Sequence, residues 1–300
     1  MSGVQAKNEG AAIDGVSVVI PAYNEEGAIV DGLRETQAVL DELDVESELI
    51  VVNDGSTDRT GELAREAGFR VLDQPENRGY GAALKAGIDA ARFETIVITD
   101  ADGTYPAKEI PAMLEAARRY DMVVGARIGE NAAIPLVRRP AKWVLRVLAA
   151  YLAGRPIPDL NSGLRVLKRR HVKRFEHLLP SGFSFTTSIT LASLCSDLLV
   201  HYHPIDYYAR IGDSKIRATH AVEFLILILR TIVYFNPLKV FLPVGAVFFF
   251  GGLVKFVYDV FIGNLSETAL FGFLGGTILW AVGLLSDQIA RTALGGGRKA

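Results

Sequence analysis

Two stretches near the C-terminus limit what this chain can fold into. Residues 240–254 and 269–285 are apolar and carry no charge, and the first run resumes past Lys255 to Tyr258. With its flanks, each approaches the ~20 residues that span a bilayer as an α-helix. Asn264, Leu265 and Ser266 fall in a short connection between them. The pattern predicts a transmembrane hairpin over residues 238–290, with helices near 238–260 and 267–288. The rival is a pair of buried core helices. The run Phe248, Phe249, Phe250 and the glycine-rich second helix favour the membrane. Arg230, Lys239, Arg291, Arg298 and Lys299 flank the outer ends of the pair, whereas the loop side carries Asp259 and Glu267. The positive-inside rule then predicts cytoplasmic termini, with residues 291–300 as a cytoplasmic tail. Lys255, near the loop, is expected to snorkel to the far interface.

Composition matters here through its distribution. The net charge is −2, from 32 Lys/Arg and 34 Asp/Glu. Residues 1–137 hold 12 basic and 25 acidic residues, residues 138–174 hold 11 basic residues and Asp159 alone as an acid, and residues 175–300 hold 9 and 8. The chain is an acidic block, a short basic block and an apolar tail. A hydrophobic share of 50% excludes wholesale disorder. The single cysteine, Cys195, excludes a disulfide framework and a multi-cysteine zinc site. Residues 1–15 are polar, read as a flexible N-terminus and lack the apolar core of a signal peptide.

Residues 16–20, 49–52, 69–72, 95–98 and 122–125 are short apolar runs that read as buried strands. Helical patterns lie between them, with Asn24 placed to cap the first and Ile29, Leu33, Leu40 and Leu43 at helical spacing. This alternation predicts an α/β domain with a parallel sheet covered on both faces. Ligands of such sheets sit beyond the carboxyl ends of the strands, where the polar clusters of this chain fall. Residues 141–153 (AKWVLRVLAAYLA) read as an interfacial amphipathic helix. Residues 219–236 read as a juxtamembrane helix, after an α/β domain over 16–218.

Asp100 and Asp102 follow a strand end, one residue apart. Paired there, they offer hard oxygen ligands to Mg²⁺ or Mn²⁺ and through it to a diphosphate. Asp54, after another strand, reads either as a turn former or as an acceptor for a nucleobase or ribose. Residues 77–81 (NRGYG) open a helix and match neither a Walker A loop nor a dinucleotide fingerprint. An anion at that helix start is compatible with the pattern.

Four clusters, PAYNEE (21–26), NDGSTD (53–58), NRGYGAALKAG (77–87) and DADGTYP (100–106), together resemble the family 2 glycosyltransferases with the GT-A, Rossmann-like fold. The resemblance covers residues 16–130. It implies a metal-dependent hexosyltransferase using a nucleotide-diphosphate sugar. Pro21, Tyr23, Glu25, Asp54, Arg78 and Gly79 would hold the nucleotide. Asp100 and Asp102 would be the catalytic pair, holding Mg²⁺ or Mn²⁺ and the diphosphate. Asn53 and Thr104 depart from the pattern, where relatives often carry Asp and Gln, and the second leaves a third metal ligand open.

Residues 159–165 (DLNSGLR) and 209–215 (ARIGDSK), with 124–127 (VGAR), look like motifs of polyprenyl-phosphate glycosyltransferases. That likeness implies an acceptor-phosphate set of Arg127, Ser162, Arg165, Arg210 and Lys215. The product would be a polyprenyl-phosphate sugar made at the cytoplasmic face of the plasma membrane. UDP-glucose is the favoured donor because of the two-helix tail, and GDP-mannose is the alternative. The basic block suits an anionic membrane surface, at roughly 1 kcal/mol per basic residue near anionic lipid. A phosphate monoester is already anionic at pH 7, so the reaction requires no strong general base, and none is nominated.

Other readings fit less well. His201 and His203 lack a third ligand and read as structural. Residues 179–182 read as a simple turn. Residues 183–191 face the acceptor or pack. A nucleic-acid partner suits the Trp- and Leu-bearing helix of the basic block less well than a membrane. A processive synthase would carry Q-x-x-R-W, which residues 288–291 do not complete. A non-catalytic nucleotide-sugar-binding scaffold is opposed by the intact acid pair. A homo-oligomer is left open.

Overall fold

A computed structural model describes residues 12–128, 147, 149–151, 154–182, 184–208, 226, 229–230, 233–264 and 266–295. The chain divides into two compact units, Met1–Phe224 and Leu225–Ala300.

The first unit is built on strands β1 (Gly15–Ala22), β2 (Glu46–Asn53), β3 (Arg70–Asp73), β4 (Thr95–Ile98), β5 (Met122–Ala126), β6 (Arg165–Lys168) and β7 (Val200–Pro204). Helices α1 (Ile29–Asp41), α2 (Thr60–Glu66), α3 (Tyr80–Ala90) and α4 (Ile110–Ala117) alternate with the first five strands, and α5 (Arg169–Phe175) and α6 (Phe185–Cys195) follow β6. The strands form one sheet in the order β3-β2-β1-β4-β6-β5-β7. Val18, Val19, Ile50, Val97 and Val123 are wholly buried, as expected of strands covered on both faces.

The sheet is mixed, which corrects the expectation of a parallel one. β6 lies antiparallel between β4 and β5. Its apolar residues carry no mark of direction, so alternation of strand and helix could not reveal it. This reversal positions the site, because the N-terminal end of β6 lies beside the carboxyl ends of its neighbours. Arg165 pairs with Ile98 and with Val124 in the two registers. Asn24 also departs from expectation. The N-cap of α1 is Ala28. Asn24 sits at a positive φ of 53°, and its side-chain Oδ1 accepts the Thr57 N–H at 2.8 Å.

The second unit contains α7 (Leu238–Ile262) and α8 (Glu267–Gly295). Both are long and apolar enough to cross a membrane, and 11% and 17% of their apolar windows are buried. Core helices would be mostly buried, so the rival reading fails on exposure. Phe261, Val247 and Phe271 are 85%, 72% and 69% exposed. The helices pack through small residues. A Cβ on Gly272 would come within 2.6 Å of the Gly252 Cα, a close approach suited to helices that pack by van der Waals contact. Lys255 pairs with Asp259, which also accepts the Ser266 N–H at 3.0 Å. The lysine expected to snorkel therefore has a partner carboxylate one turn away. Residues 141–153 and 219–236 fall largely outside the described residues.

Candidate active site

A cavity of about 360 Å³ opens at the carboxyl edge of the sheet. Pro21, Tyr23, Glu25, Asp54, Gly79, Asp100, Asp102 and Arg127 all line it. Residues from five separated motifs thus meet, because β1, β2, β4 and β5 end on the same edge and the 77–81 loop joins them there.

The first two motifs are knitted together. The Asn24 N–H donates to the Ser56 Oγ at 3.1 Å, that of Glu25 to the Thr60 Oγ1 at 2.8 Å, and that of Glu26 to Asp58 at 3.2 Å. Asp58 is itself held below the usual carboxylate range. Burial opposes this, but hydrogen bonds from Thr60 and Glu26 outweigh it. Asn53 donates to Asp73 at 2.8 Å and so serves the β2–β3 connection.

Asp54 is 3% exposed. Its two oxygens accept the Arg78 and Gly79 N–H groups, each at 2.9 Å. The anion at the start of α3 is therefore the chain's own carboxylate. The Arg78 side chain is exposed and does not line the cavity; its backbone amide is what serves the site. Gly79 has a φ of 95°, and a Cβ there would lie 2.6 Å from the Ser181 carbonyl oxygen. The segment read as a simple turn is thus the wall against which the glycine-rich loop packs.

Asp100 accepts the Tyr80 hydroxyl at 2.9 Å. Burial, then the nearby Asp100 charge, pushes the Tyr80 hydroxyl well above its ordinary pKa, so it remains a donor. Asp102 is 5% exposed. It accepts both the Thr104 Oγ1, at 2.6 Å, and the Thr104 N–H, at 3.2 Å. Thr104, which left a third ligand open, orients the second carboxylate. Among the described residues no three His, Cys, Asp or Glu side chains converge. Two carboxylates on one cavity wall nevertheless fit Mg²⁺ or Mn²⁺, which take hard oxygen donors and keep water or phosphate in their other positions.

Arg127 lines the cavity while gripping Asp159 through both guanidinium arms, at 2.7 and 2.9 Å. Its guanidinium lies 5.2 Å from the Tyr207 ring centroid. Arg165 is a correction. It is wholly buried, and it donates to the Ser162 carbonyl at 2.7 Å, the Leu160 carbonyl at 3.0 Å and the Thr190 hydroxyl at 2.6 Å. A guanidinium spent on the 160–162 backbone does not face an acceptor phosphate. The Ser162 side chain is also buried and outside the cavity lining. Arg210 and Lys215 lie outside the described residues.

The basic block is corrected in part as well. Arg169 donates to the Ala91 carbonyl at 2.7 Å, Lys168 to the Thr95 hydroxyl at 3.1 Å, Arg170 pairs with Glu94 at 3.3 Å, and Lys173 pairs with Asp89. These four cations therefore have partners within their own domain. His201 stacks on Tyr120 at 4.8 Å, and His203 meets Glu109 at 3.1 Å. Sequence reasoning did not select Tyr80, Tyr105, Asn161, Thr186 or Tyr207, all of which line the cavity. Tyr80, Tyr105 and Asn161 lie inside motifs that it quoted. Thr186 lies in the 183–191 segment, read as facing the acceptor or packing, whereas Tyr207 carries no local signal.

Residues 17–175 match the family described as Glycosyl transferase family 2, and residues 236–292 match the GtrB C-terminal hairpin. The chain belongs to glycosyl transferase family 2 and is a glycosyltransferase carrying a membrane hairpin. It is 33% identical to a dolichyl-phosphate hexose transferase of Haloferax volcanii, over 68% of this chain and 87% of that one. It is 29% identical to an undecaprenyl-phosphate 4-deoxy-4-formamido-L-arabinose transferase of Pseudomonas fluorescens, over 92% and 84%. The fold is similar to that of glucosyl-3-phosphoglycerate synthase from Mycobacterium tuberculosis, crystallised with Mn²⁺, UDP-glucose and phosphoglyceric acid. The TM-score is 0.59 and the identity 21%, over 73% of this chain and 80% of that one.

Proposed function

We propose that the enzyme transfers a hexose from a nucleotide sugar, with UDP-glucose favoured, to a polyprenyl phosphate at the cytoplasmic membrane face. The observation that carries this reading is one cavity lined by the Asp100–Asp102 pair and by Arg127, in a chain that also bears a bilayer-length hairpin. The relatives named for dolichyl and undecaprenyl phosphate support the acceptor class.

Pro21, Tyr23, Glu25, Asp54 and Gly79 hold the nucleotide, with Arg78 contributing its amide to the Asp54 carboxylate. Asp100 and Asp102 hold Mg²⁺ or Mn²⁺. When bound, the cation neutralises charge on the leaving diphosphate. Arg127, together with Arg210 and Lys215 from the motif likeness, draws the acceptor phosphate. One anionic phosphate oxygen attacks C1, and the bond from C1 to the diphosphate oxygen breaks. The configuration at C1 inverts and nucleoside diphosphate leaves. Positioning supplies most of the rate, since the nucleophile needs no deprotonation. Basic residues on the outer ends of the hairpin support cytoplasmic termini and a cytoplasmic site.

Donor choice is testable by thermal shift of the purified protein with Mn²⁺ and a panel of nucleotide sugars. UDP-glucose should raise the melting temperature most. Stabilisation by GDP-mannose alone would assign the mannosyl alternative.

A further inference from the structure

The segment before β6 and the first residue of α3 converge on Asp100. The antiparallel register pairs Ile98 with Arg165, and its continuation sets position 163 across from position 100. A Cβ on Gly163 would lie 2.7 and 2.8 Å from the two Asp100 carboxylate oxygens. No real Cβ sits so close, so the carboxylate occupies space that a side chain would take. The Gly163 N–H is fixed by the Tyr105 hydroxyl at 2.7 Å. Arg165 grips the two carbonyls just upstream, at 2.7 and 3.0 Å. From the other side, the Tyr80 hydroxyl donates to Asp100 Oδ1 at 2.9 Å. Tyr80 directly follows the two amides that hold Asp54.

We propose that Tyr80 and Gly163 are positioning residues that fix the Asp100 carboxylate for a divalent cation, Tyr80 by its hydrogen bond and Gly163 by having no side chain. This rests on the reading of Asp100 as a metal ligand given above. An aspartate held in one rotamer loses less freedom when it binds a cation, and groups that orient a ligating carboxylate commonly set metal affinity. The same contacts give Arg165 a task that does not involve the acceptor, since it anchors the backbone on which Gly163 sits.

The test is Mn²⁺ binding to the full-length protein in detergent, followed by electron paramagnetic resonance with UDP present. Parent, Tyr80→Phe, Gly163→Ala and Asp100→Asn are compared. Tyr80→Phe and Gly163→Ala should each weaken Mn²⁺ binding roughly tenfold, about the effect of one charge-assisted hydrogen bond. Asp100→Asn should weaken it further. In turnover, Tyr80→Phe should raise the apparent KM for Mn²⁺ by a similar factor, with kcat at saturating Mn²⁺ changing far less. A merely structural role would lower kcat without moving that KM. UDP affinity measured in chelator reports that the variants are folded and should match the parent. Parent-like Mn²⁺ affinity in both Tyr80→Phe and Gly163→Ala, with loss in Asp100→Asn, would overturn the positioning role alone. Parent-like affinity in Asp100→Asn would overturn the metal reading and this proposal with it.

Discussion

The carboxylates around the cavity are set by different neighbours, and their substitutions should separate accordingly. Asp102 accepts two bonds from Thr104, and Asp102→Asn preserves its size while removing its charge. We expect at least a hundredfold loss of turnover, in line with losing one electrostatic contact to a transition state, and a circular dichroism spectrum like the parent's. Retained metal-dependent turnover would remove Asp102 from the catalytic pair. Asp159 is a different case. Burial opposes its charge, but the hydrogen bonds and attraction of Arg127 outweigh this and hold its pKa below the ordinary 3.8. A lowered folded-state pKa gives stability that is present above the unfolded value and lost as the pH falls through the folded one. The melting temperature of the parent should therefore exceed that of Asp159→Asn by a constant margin from about pH 8 to 5, and the margin should begin to shrink only below about pH 4, as the pH falls toward the lowered folded-state pKa. The margin corresponds to about 2 kcal/mol, discounted for the 21% and 10% exposure of the two side chains. A margin that grew on acidification would contradict the assignment. The cavity residues Asp54, Asp100 and Asp102 were legible because they follow strand ends, and Gly79 because it opens a helix. The fate of Arg165 was not, since only the reversed β6 shows that its guanidinium points into the domain.

At the scale of elements, the glycine-rich loop and the hairpin make separate predictions. Gly79→Ala would place a Cβ at a φ of 95° and 2.6 Å from a carbonyl oxygen. It should cost more than about 1 kcal/mol, and it should raise the KM for nucleotide sugar, because the displaced amide also holds Asp54. Chemical denaturation and donor titration check the two effects, and a parent-like variant would show that the loop yields. Gly272→Leu should lower the melting temperature in detergent, since the side chain would meet the Gly252 backbone. An unchanged transition would mean that the helix pair separates without cost. The first five strands, the alternating helices and the hairpin could be read from periodicity. The register and direction of β6, and the packing of residues 180–182 against Gly79, arise from contacts distant in sequence and leave no local pattern.

At the scale of the whole molecule, the near-neutral net charge of −2 hides two opposed blocks. The acidic block supplies Asp54, Asp100 and Asp102 to the cavity. Four of the eleven cations of the basic block, Lys168, Arg169, Arg170 and Lys173, have partners in that domain. Electrostatic attraction to anionic lipid is therefore smaller than the charge count implies, and apolar burial of the hairpin carries the membrane attachment. Extraction of native membranes should agree. High salt should leave the protein in the membrane fraction and detergent should release it, whereas release by salt alone would contradict attachment through the hairpin. The proposed reaction is transfer of a hexose to a polyprenyl phosphate. Its most direct test is purified full-length protein incubated with radiolabelled UDP-glucose, undecaprenyl phosphate and Mg²⁺ or Mn²⁺, followed by solvent extraction. Label should appear in the lipid phase, depend on the metal and on the lipid phosphate, and be lost in Asp102→Asn. Label confined to the aqueous phase with UDP-glucose, GDP-mannose and every other donor tested would contradict it.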